Sequence, residues 1–267
     1  MKNKIIIWTL AVVITIAGAY YQRITGPTYP VAGKISIAQK EIPYKLERSH
    51  SSTDNYLISL KTKVPDIAGT LVWKRYKTND NWTDVPMNYS GGMLTAELPK
   101  QPPAGKLQYK IIIHNSDHQI TIPEDHPVVI RFKGDVPLFI LIPHVLAMFG
   151  AMLLSTRTGL EYFNKEPGLK KFTKWTIAFL LIGGMILGPL TQYYAFGTLW
   201  TGIPFGYDLT DNKTLIALIG WIIAAFAVYK SKKPKAWILA AAILLLIVYL
   251  IPHSTFGSEL DYSKLKQ

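Results

Sequence analysis

The chain of 267 residues contains no cysteine. Disulfide bonds, thiolate metal sites, lipid attachment to a cysteine and covalent heme attachment through a CxxCH motif are therefore excluded. Charged residues are few, at 17% of the sequence, and the mean hydropathy reaches +0.18. An ordinary soluble enzyme is less apolar than this, so the hydrophobic residues must be concentrated in particular segments.

Several catalytic signatures are missing as well. The sequence has no glycine-rich nucleotide fingerprint, no nucleophile elbow and no HExxH zinc motif. Its apolar segments contain no Asp or Glu, which disfavours a protease or a transporter acting within the membrane. Enzymatic activity stays open, but a role other than catalysis is favoured.

Five segments of the chain are almost free of charge. They are residues 5–19, 136–155, 173–194, 214–229 and 236–251. A run of about 17–25 apolar residues spans a hydrocarbon core about 30 Å thick. We therefore expect an α-helical transmembrane bundle with four helices in residues 136–255. Residues 1–21 form a signal anchor or a cleaved signal peptide, because Ala17-Gly18-Ala19 resembles a signal-peptidase site.

Three basic patches predict which helix ends face the cytoplasm. Together they hold eleven cations and two glutamates: Lys2 and Lys4; Arg157, Lys165, Lys170, Lys171 and Lys174 with Glu161 and Glu166; and Lys230, Lys232, Lys233 and Lys235. Short loops rich in Lys and Arg remain on the cytoplasmic side. We expect a multi-pass protein of the cell inner membrane, in contact with lipid, with residues 22–135, 195–213 and 256–267 outside the cytoplasm. The same patches account for much of the formal net charge of +12, so nucleic acid is not an expected partner.

Residues 22–135 are predicted to form an all-β extracytoplasmic domain. Apolar and polar side chains alternate through residues 56–61, 69–77 and 107–113. Turn residues such as Gly91-Gly92 separate these runs. The size and spacing predict about seven to nine strands in an immunoglobulin-like sandwich.

Three histidines of this domain, His114, His118 and His126, could be mistaken for metal ligands. The HxxxH spacing of the first two suits a helix better than the strand and turn expected here. We expect all three to be solvated, and the domain to dock or position another protein.

Two further histidines lie in or beside apolar segments, and each follows a proline: His144 after Pro143 and His253 after Pro252. An ionisable residue at membrane depth indicates a functional site, although either one alone could be an interfacial histidine near a helix end. At 1.5 Å per residue, His144 lies about 12 Å inside the outer surface. His253 lies a few ångströms inside the same leaflet, so the two side chains can face each other.

The outward loop between these histidines, residues 193–214, interleaves aromatic residues with glycines. Trp200, Phe205 and Tyr207 would give a flat apolar ligand aromatic faces, while the glycines let the backbone approach closely. The alternative interpretation is an aromatic belt at the membrane surface, with an N-cap for the next helix near Asp211.

The order of these features resembles the heme-handling membrane proteins of cytochrome c maturation. Those proteins carry an outward loop of the type WGxxWxWDxxET between two helices with heme-ligand histidines. The resemblance covers residues 136–267. Gly197-Thr198-Leu199-Trp200 matches the GxxW part, and Phe196 stands in place of the first tryptophan. Asp208 or Asp211 matches the acid.

The resemblance implies a non-covalent heme at the outer leaflet, its iron bound by His144 and His253. The remaining cofactor-binding residues that it implies are Phe196, Trp200, Phe205 and Asp208, with Lys213 or Arg131 near the propionates. Two axial histidines leave no open position on the iron, which favours holding heme over oxygen chemistry. The implied role is cytochrome c biogenesis or heme handling, with an apocytochrome or another extracytoplasmic protein as partner.

Two other functions stay open. The same histidines would serve a small b-type cytochrome that carries electrons. Alternatively, the chain is a membrane-anchored binding or assembly module without a cofactor, acting through its β-sandwich.

Overall fold

The computed structural model describes residues 2–37, 40–62, 67–115, 119–165, 167–252 and 259–264. The chain forms two compact units. Met1–Pro27 and Val136–Ser258 form the helical unit. Thr28–Asp135 and the C-terminal residues from Glu259 form the β unit.

The described part of the β unit contains eleven strands. They are β1 (Val31–Ile37), β2 (Lys40–Leu46), β3 (Ser49–Ser51), β4 (Tyr56–Lys61), β5 (Ala68–Arg75), β6 (Thr83–Pro86), β7 (Asn88–Ser90), β8 (Met93–Leu98), β9 (Lys106–His114), β10 (Gln119–Ile122) and β11 (Val128–Lys133). A six-stranded sheet has the order β3-β11-β9-β5-β6, with β10 also paired to β9, and a three-stranded sheet has the order β4-β8-β7. The hairpin β1–β2 forms a separate two-stranded sheet, and its buried residues belong to the same core as those of the two larger sheets. Pairing is antiparallel except between β11 and β3.

The predicted alternation of buried and exposed side chains is confirmed in the strands that form the core. In β9, Leu107, Tyr109, Ile111 and Ile113 are all fully buried, while the side chains between them are partly exposed. The buried residues of β4 and β8 join those of β5, β9 and β11 in one apolar cluster. The two larger sheets therefore share a single core, as a period of two residues requires.

The turn at Gly91-Gly92 is also confirmed. Both glycines have positive φ angles, +57° and +79°, and they join β7 to β8 as a two-residue hairpin. A hairpin turn of this kind needs positive φ at both central positions, which glycine adopts without steric cost.

The helical unit has six α-helices in its described part. They are α1 (Lys2–Thr25), α2 (Leu138–Gly159), α3 (Leu169–Leu180), α4 (Gly188–Phe196), α5 (Leu209–Lys230) and α6 (Pro234–Leu250). A π-helical segment, Leu181–Leu187, joins α3 to α4, and the whole of Leu169–Phe196 is one continuous helix. A short 3-10 segment, Leu160–Phe163, follows α2.

Four of these helices are long and apolar enough to cross a membrane: Lys4–Thr25, Leu138–Phe163, Leu169–Phe196 and Leu209–Lys230. The apolar helix α6 is shorter, at 17 residues. Helix α1 ends at Thr25, four residues beyond the segment predicted from the sequence, and it packs against α2 and α6. The five apolar segments of the sequence thus correspond to five helices, with α3 and α4 counted as one continuous helix.

Candidate cofactor site at the aromatic end of the helical unit

The helical unit has two chemically different ends. At the basic end, the Lys235 ammonium donates to the carbonyl of Asn164 over 2.6 Å, and the Lys170 ammonium lies 5.1 Å from the centre of the Tyr229 ring. These contacts bring together the connections after α2 and before α6. At the other end lie the loop after α4, the start of α5 and the end of α6, which we call the aromatic end.

Asp211 holds the loop of the aromatic end in place. This residue lies in the first turn of α5, is 6% exposed, and accepts hydrogen bonds from the backbone amides of Thr201 and Gly202 at 2.7 and 3.1 Å. Its neighbour Asn212 accepts from the amide of Ile203 at 2.7 Å. Two adjacent side chains therefore bind three consecutive loop amides, which fixes the loop against the helix.

The N-cap of α5 is Asp208, whose carboxylate accepts from the amide of Thr210 at 2.7 Å. Since a short acidic side chain at this position satisfies a helix amide, Asp208 has a structural role here. The interpretation that placed the cap near Asp211 is wrong by three residues.

Two glycines permit the path of this loop. Gly197 ends α4 in the left-handed conformation, with φ of +80°, and its amide bonds the carbonyl of Tyr193. Gly202 is buried, and a Cβ on it would lie 2.7 Å from the Cβ of Asp211. No larger residue fits between the loop backbone and α5 at this point.

The fixed loop presents apolar side chains outward. Phe205 is 82% exposed and Tyr207 is 91% exposed. Trp200 is half-buried, and its indole N–H donates to the carbonyl of Ile203 at 3.1 Å. Phe196, the last residue of α4, is also half-buried. The structure thus brings the predicted aromatic residues to one end of the unit.

His144 lies in α2, six residues after its start at Leu138, and is half-buried. Its Nδ1 is 2.9 Å from the carbonyl oxygen of Gly183 in the π-helical segment. A carbonyl can only accept, so Nδ1 carries a proton, and in the neutral imidazole Nε2 then has a free lone pair. No second hydrogen bond of this ring is found among the described residues, and Nε2 is not one of the buried atoms without a partner. Nε2 therefore lies where another group can reach it.

Gly183 makes this hydrogen bond possible by its size. A Cβ on Gly183 would lie 2.9 Å from the Met148 sulfur and 3.0 Å from the Ala147 Cβ, both on α2. Without a side chain there, the π-helical segment approaches α2 closely enough for its carbonyl to meet His144. Single π-helical turns occur frequently at functional sites.

His253 lies outside the described residues, so only the approach of the chain towards it can be stated. Four residues earlier, the Tyr249 hydroxyl donates to the carbonyl of Met148 at 2.6 Å. Met148 follows His144 by four residues, and α2 and α6 run in opposite directions. His144 thus lies one helical turn of α2 from a direct contact between the two helices, towards the aromatic end. In addition, the Lys213 ammonium donates to the carbonyl of Ile251 at 2.6 Å.

Lys213 is 3% exposed and already bound in this way, which leaves it unsuited to the propionate role that the sequence suggested. Arg131, the other candidate, lies in β11 of the β unit. Within the part of the chain that the structure describes, no three His, Asp or Glu side chains cluster as metal ligands. His114 and His126 are exposed, as predicted, and His118 lies outside the described residues.

Sequence reasoning missed three contacts at this end. The loop clamp of Asp211, the helix contact of Tyr249 and the approach of Gly183 to α2 all join segments that are distant in sequence. The pattern Asp-Asn at the start of a helix was a usable signal, although it was assigned to the cap.

No protein-family model matches the chain, and neither the curated proteins nor the solved structures contain a match to it.

Proposed function

We propose that the protein is a multi-pass membrane protein that binds heme non-covalently at the outer leaflet, between His144 and His253. Its role is heme handling in cytochrome c biogenesis. The observation that carries the proposal is the hydrogen bond between His144 Nδ1 and the Gly183 carbonyl, because it occupies Nδ1 and leaves Nε2 to bind a ligand.

The helical unit supports membrane insertion by its surface. Large side chains face outward, such as Phe226 at 69% exposed and Ile223 at 48%, while Ala224 between them is fully buried. Helices that pack in lipid place small residues at their contacts and leave large apolar ones to the hydrocarbon.

The C-terminal segment supports the number of crossings. Residues 259–264 belong to the same compact unit as Thr28–Asp135, so these two segments lie on the same side of any membrane. The chain between them must then cross an even number of times. The helices α2, α3–α4 and α5 give three crossings, so α6 is the fourth, although its 17 residues reach only about 26 Å at 1.5 Å per residue.

The positive-inside rule then gives the orientation. The basic end lies in the cytoplasm, and the aromatic end lies outside together with the β unit. The β unit is an exported, immunoglobulin-like sandwich in this proposal, supported by its two larger sheets sharing one core.

The residues present fit a heme iron ligand of the imidazole type. A ligating histidine nearly always donates its second ring N–H to a carbonyl or carboxylate, which fixes the tautomer and orients the ring. His144 already has that arrangement with Gly183. On the other side, the hydrogen bonds of Tyr249 and Lys213 hold the end of α6 to α2 and α5, close to where His253 follows.

The loop supports the same assignment. Asp211 and Asn212 fix the loop backbone. Phe205 and Tyr207 are therefore held exposed, where a loop without these hydrogen bonds could fold its aromatic side chains inward. A planar apolar group at the outer leaflet would bury such side chains. Bound heme would supply a redox-active iron, while the chain's own residues hold its faces and exclude water.

The test is an absorption spectrum of the detergent-purified protein, oxidised and then reduced with dithionite. We expect a Soret band with sharp α and β bands after reduction, as low-spin iron with two histidine ligands gives. His144→Ala and His253→Ala should each lose these bands or shift them, with unchanged amounts of protein in the membrane.

His114→Ala and His126→Ala are matched controls, because both histidines are exposed on the β unit. They should leave the spectrum unchanged. A colourless protein that does not take up added hemin would overturn the proposal. So would a normal heme content in the double variant that lacks both His144 and His253.

A further inference from the structure

The β unit has a depression of its own, apart from the candidate cofactor site. Residues 75–80, Ala104 and Lys106 line one side of it, and we call these residues the notch. Residues 259–264, which we call the tail, lie against the notch. A cavity of about 540 Å³ remains between the two.

The tail binds the notch first through a carboxylate. Glu259 lies 2.9 Å from the Lys77 ammonium and 2.7 Å from the Lys106 ammonium, one lysine at each carboxylate oxygen. Burial alone would raise the pKa of Glu259, but the hydrogen bonds from the two lysines outweigh it and hold the pKa below the ordinary value.

Three residues further on, Tyr262 makes the second contact. Its hydroxyl accepts from the backbone amide of Lys106 at 2.9 Å and lies 3.1 Å from both the Gln101 side-chain oxygen and the Lys106 carbonyl, to one of which it donates. The Arg75 guanidinium lies 5.0 Å from the centre of the tyrosine ring. Between the two anchors, the amide of Leu260 donates to the carbonyl of Ala104 at 3.3 Å.

The notch is shaped by unusual backbone. Lys77 and Ala104 have φ angles of +57° and +68°, and no other non-glycine residue in the described part of the chain has a positive φ. Such conformations cost free energy and concentrate at binding and catalytic sites. Here they place the Lys77 side chain and the Ala104 carbonyl on the surface that the tail uses.

The charges of the notch favour an acidic ligand. Arg75 binds Asp80 through two hydrogen bonds of 2.5 and 3.0 Å, so that carboxylate is not available to the lysines. Lys106 is only 15% exposed, and its burial lowers the pKa of its ammonium group. A half-buried ammonium beside a second lysine needs a carboxylate to offset its lost hydration.

We propose that the notch is a peptide-binding site for segments with an acidic residue three positions before a tyrosine, and that the tail occupies it as a built-in competitor. Lys77 and Lys106 recognise the acid, while Arg75 and the Lys106 backbone recognise the tyrosine. The partner is a protein that presents such a segment on the same side of the membrane as the β unit, which is outside the cytoplasm in the topology proposed above. This site does not depend on heme binding.

The covalent tether explains how weak contacts keep the tail in place. A linked segment meets its site at an effective concentration in the millimolar range, so its intrinsic affinity need not be high. Glu259 is 39% exposed, so its bonds to the two lysines are only moderately strong. A partner segment that also fills the remaining cavity would displace the tail.

The test measures binding of a fluorescent peptide, residues 259–267, to the purified protein by anisotropy. The chain ending at Ser258 should bind the peptide at least about tenfold more tightly than the full chain does, since its notch is empty. Peptides with Gln in place of Glu259, or with Ala in place of Tyr262, should bind at least about tenfold more weakly.

A second variant tests the same proposal without truncation, in case the chain that ends at Ser258 does not fold. The full chain with Tyr262→Ala keeps its tail but weakens the contact, and it should gain peptide binding. Adding Lys106→Ala should abolish that gain, whereas Lys34→Ala, which alters a surface ion pair on the β1–β2 hairpin, should not. Equal binding of the wild-type and substituted peptides, or no gain in either variant, would overturn the proposal.

Discussion

The two units of the chain differ in how many of their large apolar side chains are exposed. In the β unit, Leu107, Tyr109 and Ile111 are fully buried. In the helical unit, Ile223 and Phe226 are about half or more exposed, while the buried positions hold many small residues. These small buried residues are Ala151, Ser155, Thr158, Thr176, Ala217, Ala224, Ala241 and Ala242. This difference is the one expected if the helical unit lies in lipid, as we propose, and the β unit in water.

Water drives large apolar groups inward, so the β unit folds around them. Lipid gives no such drive, and helices associate there through close packing and polar contacts. Gly159 illustrates this, because a Cβ on it would lie 2.5 Å from the Cβ of Ala242. The same comparison applies to charge. Among the described residues, every ion pair of the β unit is at least partly exposed, whereas the helical unit has one that is fully buried.

The buried pair of the helical unit gives the largest expected effect. Arg157 and Glu161 are both 2% exposed, and their side chains meet at 2.5 Å. The Arg157 guanidinium also lies 5.3 and 4.8 Å from the centres of the Trp8 and Phe172 rings. Glu161→Gln would leave a buried cation without its counter-charge, which costs about 3–5 kcal/mol. We expect a clear fall in the midpoint of thermal unfolding, followed by the helical circular-dichroism signal of the full chain.

The matched control is Glu41→Gln. Glu41 bonds Lys34 at 2.9 Å, but both side chains are about two thirds exposed. Pairs of this kind contribute about 0–1 kcal/mol, because water and salt screen them. If the two substitutions lowered stability equally, the ion pair of Arg157 would be solvated. The two units would then not differ in how deeply they bury their ion pairs.

A pair of isoleucines tests the comparison for apolar residues. Ile111→Ala removes a fully buried side chain from β9 and should destabilise the β unit by about 2–5 kcal/mol. Ile223→Ala makes the same chemical change at a position that is 48% exposed on α5. It should change stability by about 0.5 kcal/mol or less.

Thermal unfolding of the full chain in lipid nanodiscs measures both variants. The β-sheet and helical signals are followed separately by infrared absorption. A large loss from Ile223→Ala would mean that this residue packs against protein, and that the outward face of α5 is an interface between subunits.

Local patterns predicted much of the fold. The period of two in residues 56–61 and 107–113 predicted strands with one buried face, and the structure confirms it. The lengths of the apolar runs predicted five helical rods. Both predictions depend only on the order of polar and apolar residues within one segment, and this order can be read directly from the sequence.

The contacts that organise the two sites are long-range, and the sequence does not state them. Asp211 binds an amide ten residues away, Tyr249 binds a carbonyl 101 residues away, and Tyr262 binds Lys106 across 156 residues. Each is a polar group whose partner depends on how whole elements pack. Residues 256–267 were predicted as an extracytoplasmic tail, and for the same reason the sequence did not predict that residues 259–264 contact the β unit.

Acid should release the tail, and this is the smallest effect expected. The native pKa of Glu259 lies below its ordinary value of 4.5, because Lys106 and Lys77 hydrogen-bond the carboxylate and outweigh the effect of burial. A carboxyl group shifted downward stabilises the contact fully above pH 4.5. This stabilisation, about 1–2 kcal/mol for two partly exposed pairs, disappears as the pH falls through the lowered native pKa.

The absence of cysteine makes the measurement simple, since a dye can be attached through Ser263→Cys alone. Ser263 is exposed, and it follows Tyr262 directly. The anisotropy of the dye should be high at pH 7 and fall below pH 4.5, as the tail leaves the notch and moves freely. Asp80 also has a lowered pKa through Arg75, so Glu259→Gln is the control that separates the two acids. In that variant the anisotropy should be low at pH 7 already, and an unchanged acid transition would assign the release to Asp80 instead.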